Sequence, residues 1–259
     1  MKKNILFVLA SLAGAAVSQA AYILVDDFEG YNTGNSNSGN SNAFVLNGGP
    51  WSTSNGGGTS FVNIANNGDN YLRFGWNGGT RAANRAVPTI ADGGVGTYFF
   101  QIQSTDTTPD VSFGLSDLAT GARGSFGDFE VQVALVTSGS SASIGARNGD
   151  TFQTIQSVSA STWYDIWVVV NNATDTYDVY LGTGGDPNSL GTLIADDFSF
   201  RNASGGNVGD LVTFMTLEND NLDNSSFVDN IYFNSVAVPE PSAALLGGFG
   251  LLGLFRRRR

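Results

Sequence analysis

The stretch WYDIWVVVNNATDTYDVYLG, Trp163–Gly182, decides the fold. It holds two alternating apolar runs either side of a polar turn. In the first, expected as a strand over Thr162–Val170, Tyr164, Ile166, Val168 and Val170 share one face. Trp163, Asp165, Trp167 and Val169 share the other. In the second, over Thr176–Gly182, Tyr177, Val179 and Leu181 oppose Asp178 and Tyr180. Successive side chains on a strand point to opposite faces, so each set is a stripe. A slip of one residue turns every side chain over, and only one register pairs apolar with apolar on both faces. That register sets Val168 against Val179, Val170 against Tyr177, Ile166 against Leu181 and Trp167 against Tyr180.

The same alternation recurs outward from this hairpin. Strands are expected at Tyr22–Phe28, Ser60–Ala65, Asn70–Trp76, Thr97–Ser104, Asp110–Ser116, Asp128–Val136, Ala142–Arg147, Thr151–Val158, Thr192–Phe200, Leu211–Leu217 and Phe227–Val236. Asn148-Gly149-Asp150 is a hairpin-turn signal. Gly30 to Gly58, rich in Asn, Ser and Gly, reads as a long loop with one short strand at Phe44-Val45-Leu46. No stretch sustains a 3.6-residue apolar period. Short strands at regular spacing between turn clusters mark an all-β, two-sheet antiparallel sandwich. There is no internal repeat, and one domain over residues 21–237 is the simplest division.

Both ends read as addresses. Lys2 and Lys3, the apolar run Ile5–Val17 and Ser18-Gln19-Ala20 form a signal peptide over residues 1–20, cleaved between Ala20 and Ala21. At the other end come Pro239, Glu240 and Pro241, an uncharged run over 243–255, and Arg256, Arg257, Arg258 and Arg259. The prolines disfavour helix at the residues before them and keep that segment extended. A helix from Ser242 to Phe255 reaches roughly 21 Å against about 30 Å of hydrocarbon, a short span that suits temporary retention. The arginines orient it toward the cytoplasm. Residues 238–259 resemble the PEP-CTERM sorting signal of exopolysaccharide-producing Gram-negative bacteria. The resemblance implies entry through the Sec machinery, transient inner-membrane insertion by a short C-terminal helix, and cleavage by an exosortase near Pro-Glu-Pro. The body is then delivered to the cell surface or extracellular matrix. It implies nothing about what the body does there.

Composition narrows that question. The chain has no cysteine and no histidine. Disulfides, thiolate metal sites, His-ligated zinc and the Ser-His-Asp arrangement are therefore excluded. Between the two end segments stand six arginines (Arg73, Arg81, Arg85, Arg123, Arg147, Arg201) against 22 acids, a formal charge of −16. Such a surface repels nucleic acid, which is bound by neutralising phosphates with Lys and Arg. A carboxylate-only glycan-active enzyme remains as an alternative. The Glu-x-Asp-x-x-Glu strand pattern is absent, since Glu130 is followed by Val131 and Gln132. The body is expected not to be an enzyme.

The hairpin 163–182, with the end segments Val25–Gly30 and Phe227–Tyr232, resembles the strands of concanavalin A-like, laminin-G-like jelly rolls. The resemblance implies a sandwich with paired first and last strands, in a superfamily rich in glycan binders. Trp163, Trp167 and Tyr180 on one face, with Asp165 and Asp178 as hydroxyl acceptors, are the candidate carbohydrate-binding residues. The bland alternative makes that face ordinary core. Asp27, Glu29 and Asp229, with Asp26 and Asn230 beside them, are the candidate calcium ligands if the end strands pair; no other cofactor is expected. The functions expected are binding or organising extracellular polysaccharide or, alternatively, a ligand-free structural role.

Overall fold

A computed structural model describes residues 21–31, 50–55, 61–66, 69–75, 80–121, 124–202, 208–218 and 226–236. The expected signal peptide, the tail 238–259 with its short helix, and most of the Gly30–Gly58 loop, including Phe44-Val45-Leu46, lie outside these residues. The described residues form fifteen strands and one 3-10 turn, Phe126–Asp128. The strands are β1 (Ile23–Asp26), β2 (Trp51–Asn55), β3 (Phe61–Asn66), β4 (Asn70–Gly75), β5 (Arg81–Ile90), β6 (Val95–Ser104), β7 (Asp110–Ser116) and β8 (Val131–Ser138). They continue as β9 (Ser141–Asn148), β10 (Thr151–Ser157), β11 (Tyr164–Asn171), β12 (Thr176–Gly182), β13 (Thr192–Ser199), β14 (Leu211–Glu218) and β15 (Ser226–Asn234).

They make two antiparallel sheets. The first runs β13-β12-β11-β6-β15-β4-β3, with β1 paired to β15; the second runs β10-β9-β8-β7-β14-β5-β2. The deciding hairpin adopts the expected register, with Val168 on Val179, Trp167 on Tyr180 and Ile166 on Leu181. The first and last strands pair as expected, Ile23 against Phe233. The last two strands are central: β15 lies between β6 and β4, and β14 between β7 and β5.

The facing stripes fill the space between the sheets. Tyr98, Phe100, Ile102, Ile166, Val168, Val170, Val179 and Val228 from the first sheet meet Val111, Phe113, Leu115, Val131, Val133, Leu135 and Phe214 from the second. Phe100 crosses Phe214 edge-on at 5.3 Å, a favoured aromatic geometry. Two polar ties also cross the sandwich. The Tyr177 hydroxyl donates to the Gln132 carbonyl at 3.1 Å and also to the Arg147 carbonyl. The buried Asp26 accepts from the Phe28 N–H, the Tyr31 hydroxyl, the Trp51 indole at 2.7 Å and the Arg85 guanidinium.

Two strands, β2 and β5, were not expected. The β5 sequence RAANRAVPTI is rich in Ala and Arg and contains Pro88, all poor strand signals. Its arginines face inward to specific partners. Arg81 meets Glu218 at 2.6 Å with both side chains fully buried, and Arg85 meets Asp26. Pro88 sits in a bulge, where the pairing steps from Leu211–Ile90 to Thr213–Ala86, and no regular ladder bond is lost there.

Candidate functional site

The outer face of the first sheet does not form the open aromatic platform that the sequence suggests. Trp167 is 1% exposed and Tyr180 5%. With Phe99 they make a small separate core, closed over by Tyr22, Leu190 and Tyr232. The segment after β12 folds back across Trp167, whose indole N–H donates to the Pro187 carbonyl at 2.9 Å. Gly182 permits this closure, because a Cβ there would lie 2.9 Å from the Trp167 ring. A ring sealed on both faces offers no surface to a sugar. Trp163 is not brought to this cluster; it meets Tyr71 edge-on at 5.7 Å and Phe227 at a tilt at 6.2 Å.

The two aspartates of that candidate set separate as well. Asp165 is buried, with one oxygen accepting from Gln101 at 2.8 Å and the other from the Gly185 N–H at 2.8 Å. Gln101 in turn accepts from Asn230 at 2.7 Å. Asp165 is therefore a buried member of an internal polar string, not a group presented at the surface. Asp178 accepts from the Asp197 N–H at 2.7 Å and lines an open depression of about 470 Å³ with Val95, Val169, Asp196 and Asp197.

The calcium expectation is corrected in the same way. Strand pairing does carry Asp27, Glu29 and Asp229 into one region, joined by Asp69. Among the described residues, however, no three acidic side chains converge closely enough to hold a metal ion. Their oxygens are directed to the chain itself. Asp27 accepts from the Glu29 N–H, Glu29 from the Asn70 N–H at 2.7 Å, and Asp229 from the N–H and side-chain amide of Asn230. Asp26, the fifth acid of the region, accepts from its four donors. These residues do not fit a calcium site. Burial first, then the charges of Asp69, Glu29 and Asp27, push the Asp229 carboxyl up to about 8.

The second sheet carries a cleft that sequence reading did not find. The segment between β7 and β8 crosses its outer face. Asn84 on β5 exchanges two hydrogen bonds with Gly121, and Phe129 packs on Ala82, Met215 and Leu217 with Phe126 beside them. On the other side, the β9–β10 hairpin lays Phe152 over Gly145, where a Cβ would meet the ring at 2.5 Å. Between these two walls lies a cleft of about 280 Å³, lined by Asp110, Ser112, Phe126, Gln132, Val136, Arg147, Phe152 and Arg201. The Arg147 Nε and Nη2 donate to the carbonyls of Gly149 at 3.1 Å and Asp150 at 2.9 Å. Arg201 Nη1 donates to Gln132 Oε1 at 3.1 Å, and Gln132 donates to the Ser112 hydroxyl at 2.8 Å. Two rings, two forked donors and a small polar floor can grip a ligand with apolar faces and oxygen-bearing edges. The sequence signal for it was faint: two of only six arginines in an acidic body, one of them flanking the Asn148-Gly149-Asp150 turn.

The body has a lectin-like jelly-roll fold, and a peanut lectin is one solved structure it resembles. That likeness has a TM-score of 0.51 at 12% identity, covering 77% of this chain and 97% of the lectin. Lectin II from Ulex europaeus aligns with a TM-score of 0.49 at 12% identity, over 74% of this chain and 94% of that one. A sialidase aligns with a TM-score of 0.47 at 11% identity, over 68% of this chain but 16% of its own length. No curated protein matches the sequence. The particular mark of this chain is its end: residues 237–259 match the PEP-CTERM protein-sorting motif. The motif implies export and exosortase-directed sorting to the cell surface.

Proposed function

We infer that the exported body is a non-catalytic module that binds extracellular polysaccharide through the cleft on the second sheet. After transient insertion of the tail in the inner membrane, an exosortase cuts near Pro239-Glu240-Pro241. The body is then retained at the surface or in the matrix of a Gram-negative cell. The observation that carries this reading is the pairing of Phe126 and Phe152 as walls with Arg147, Arg201, Gln132 and Ser112 between them. Sugar rings present C–H faces to aromatic walls and hydroxyls to fixed donors. The fold shared with a peanut lectin accords with this reading. The lack of histidine and cysteine, and the engagement of Glu130 by Asn202 at 2.6 Å, accord with the absence of catalysis.

The test is retention of the purified protein on columns of immobilised polysaccharides, neutral and acidic, with Phe152→Ala as comparison. Retention on at least one matrix, weakened by the substitution, is the expected result. Elution in the void volume from all of them would sink the binding reading. It would leave a ligand-free structural role, which the sealing of Trp167 and Tyr180 already favours on the other sheet.

A further inference from the structure

We propose that the cleft selects an anionic polysaccharide, one carrying carboxylate or sulfate groups, through the paired guanidiniums of Arg147 and Arg201. This rests on the reading of the cleft as a polysaccharide site and names its ligand class.

Of the six body arginines, Arg81 and Arg85 are neutralised by Glu218 and Asp26 inside the sandwich. Arg147 and Arg201 are treated differently. Each is fixed by neutral oxygens: the turn carbonyls of Gly149 and Asp150 for one, the Gln132 amide for the other. Among the described residues neither has a carboxylate within salt-bridge distance. Their orientation is set without a direct ion pair. Asp110 is the single carboxylate among the lining residues.

The acids nearest the pair are committed elsewhere. The Asp128 carboxylate caps the 3-10 turn by accepting from the Gly124 and Ser125 N–H groups. Glu130 accepts from the Asn202 N–H and side-chain amide. Burial and the neighbouring Arg147 together hold the Arg201 guanidinium below its ordinary value, in spite of Glu130, Asp150 and Asp128. Two like charges side by side and partly desolvated raise each other's cost, and an anion placed between them removes it. The guanidinium fork matches carboxylate and sulfate oxygens in pairs, a geometry that a neutral hydroxyl satisfies only singly. The remaining surface works in the opposite sense. A body of formal charge −16 repels a polyanion everywhere else, so adsorption outside the cleft is suppressed and binding is confined to it.

The experiment is affinity electrophoresis of the full chain in native gels cast with polygalacturonate, dextran sulfate or neutral dextran. The variants are Arg147→Gln, Arg201→Gln and Arg73→Gln. The last removes the same charge from the other sheet. Melting curves check that each variant is folded, and Arg201→Lys and Arg147→Lys keep the charge while losing the fork should a glutamine variant fail to fold. The expected result is retardation in at least one acidic gel and none in dextran. Either cleft variant should raise the dissociation constant at least tenfold, and Arg73→Gln should match the unaltered chain. Equal retardation in dextran, or acidic-gel binding indifferent to both cleft arginines, would overturn the anion assignment while leaving polysaccharide binding in place. No retardation in any gel would overturn both.

Discussion

Replacing Asp229 by Asn should flatten the pH dependence of stability. Asp229 is 2% exposed on β15, and its carboxyl is raised from 3.8 to about 8. Between those values the folded chain holds a proton that the unfolded chain has released, so folding takes one up. The stability this group contributes is complete below about pH 4 and is lost as pH rises through about 8. One pKa unit corresponds to about 1.4 kcal/mol, so the loss between about pH 4 and pH 7 is at most about 4 kcal/mol. Asparagine does not titrate, and its amide forfeits the 3.1 Å bond that Asn230 donates to the second Asp229 oxygen, worth about 1 kcal/mol. The variant should therefore be slightly less stable near pH 4 and more stable by about 2 kcal/mol near pH 7. Urea unfolding in unit steps across this range gives the difference directly. Asp69, Glu130 and Asp175 are also raised, so the variant keeps a shallower slope of the same sign. Parallel curves for the two proteins would refute the reasoning, because they would mean that Asp229 is ionised throughout.

Trp167→Ala should destabilise the body by about 3–5 kcal/mol in denaturant melts, as removal of a sealed aromatic does, without changing retention on polysaccharide by whatever protein remains folded. Gly145→Ala should drive the Phe152 ring off the sheet, costing about 1–3 kcal/mol and weakening polysaccharide binding together; calorimetry and column retention read the two effects. Tyr177→Phe removes the hydroxyl shared by the Gln132 and Arg147 carbonyls and should cost about 1–3 kcal/mol by thermal melting.

The fold was legible wherever apolar and polar side chains alternate along a strand. β7, β11 and β12 declare themselves by period-two alternation, and the register of β11 on β12 follows from hydrophobic matching alone. β5 was hidden because its inward residues include Arg81 and Arg85, whose carboxylate partners lie 137 and 59 residues away in sequence. The site was less legible for a related reason. Trp163, Trp167, Asp165 and Tyr180 show alternation, and alternation says that a face exists without saying what lies over it. The covering segment closes through a backbone carbonyl, that of Pro187, which has no side-chain signature. Strand pairing brings Asp27, Glu29 and Asp229 into one region, where backbone amides and Asn230 donate to their oxygens. The cleft joins Phe126 of the 3-10 turn, Gln132 of β8, Arg147 of β9, Phe152 of β10 and Arg201 after β13, and only the closed sandwich puts them together.

The central placement of β14 and β15 bears on how the chain becomes a sandwich during delivery. Without them the first sheet is two pieces, β13-β12-β11-β6 and β4-β3, with β1 unpaired; the second is likewise two, β10-β9-β8-β7 and β5-β2. A polypeptide threaded N-terminus first presents these halves early and the two wedges that unite them last. Until both wedges arrive, β4, β5, β6 and β7 carry open edges that invite pairing with another molecule. Closure also waits on contacts between residues as remote as Ile23 and Phe233, which are slow to form. The sorting segment begins at residue 237, immediately behind the second wedge. The last strand that either sheet needs therefore ends at Asn234, just ahead of the sorting motif, so any event at the motif meets a chain in which every described strand is already present.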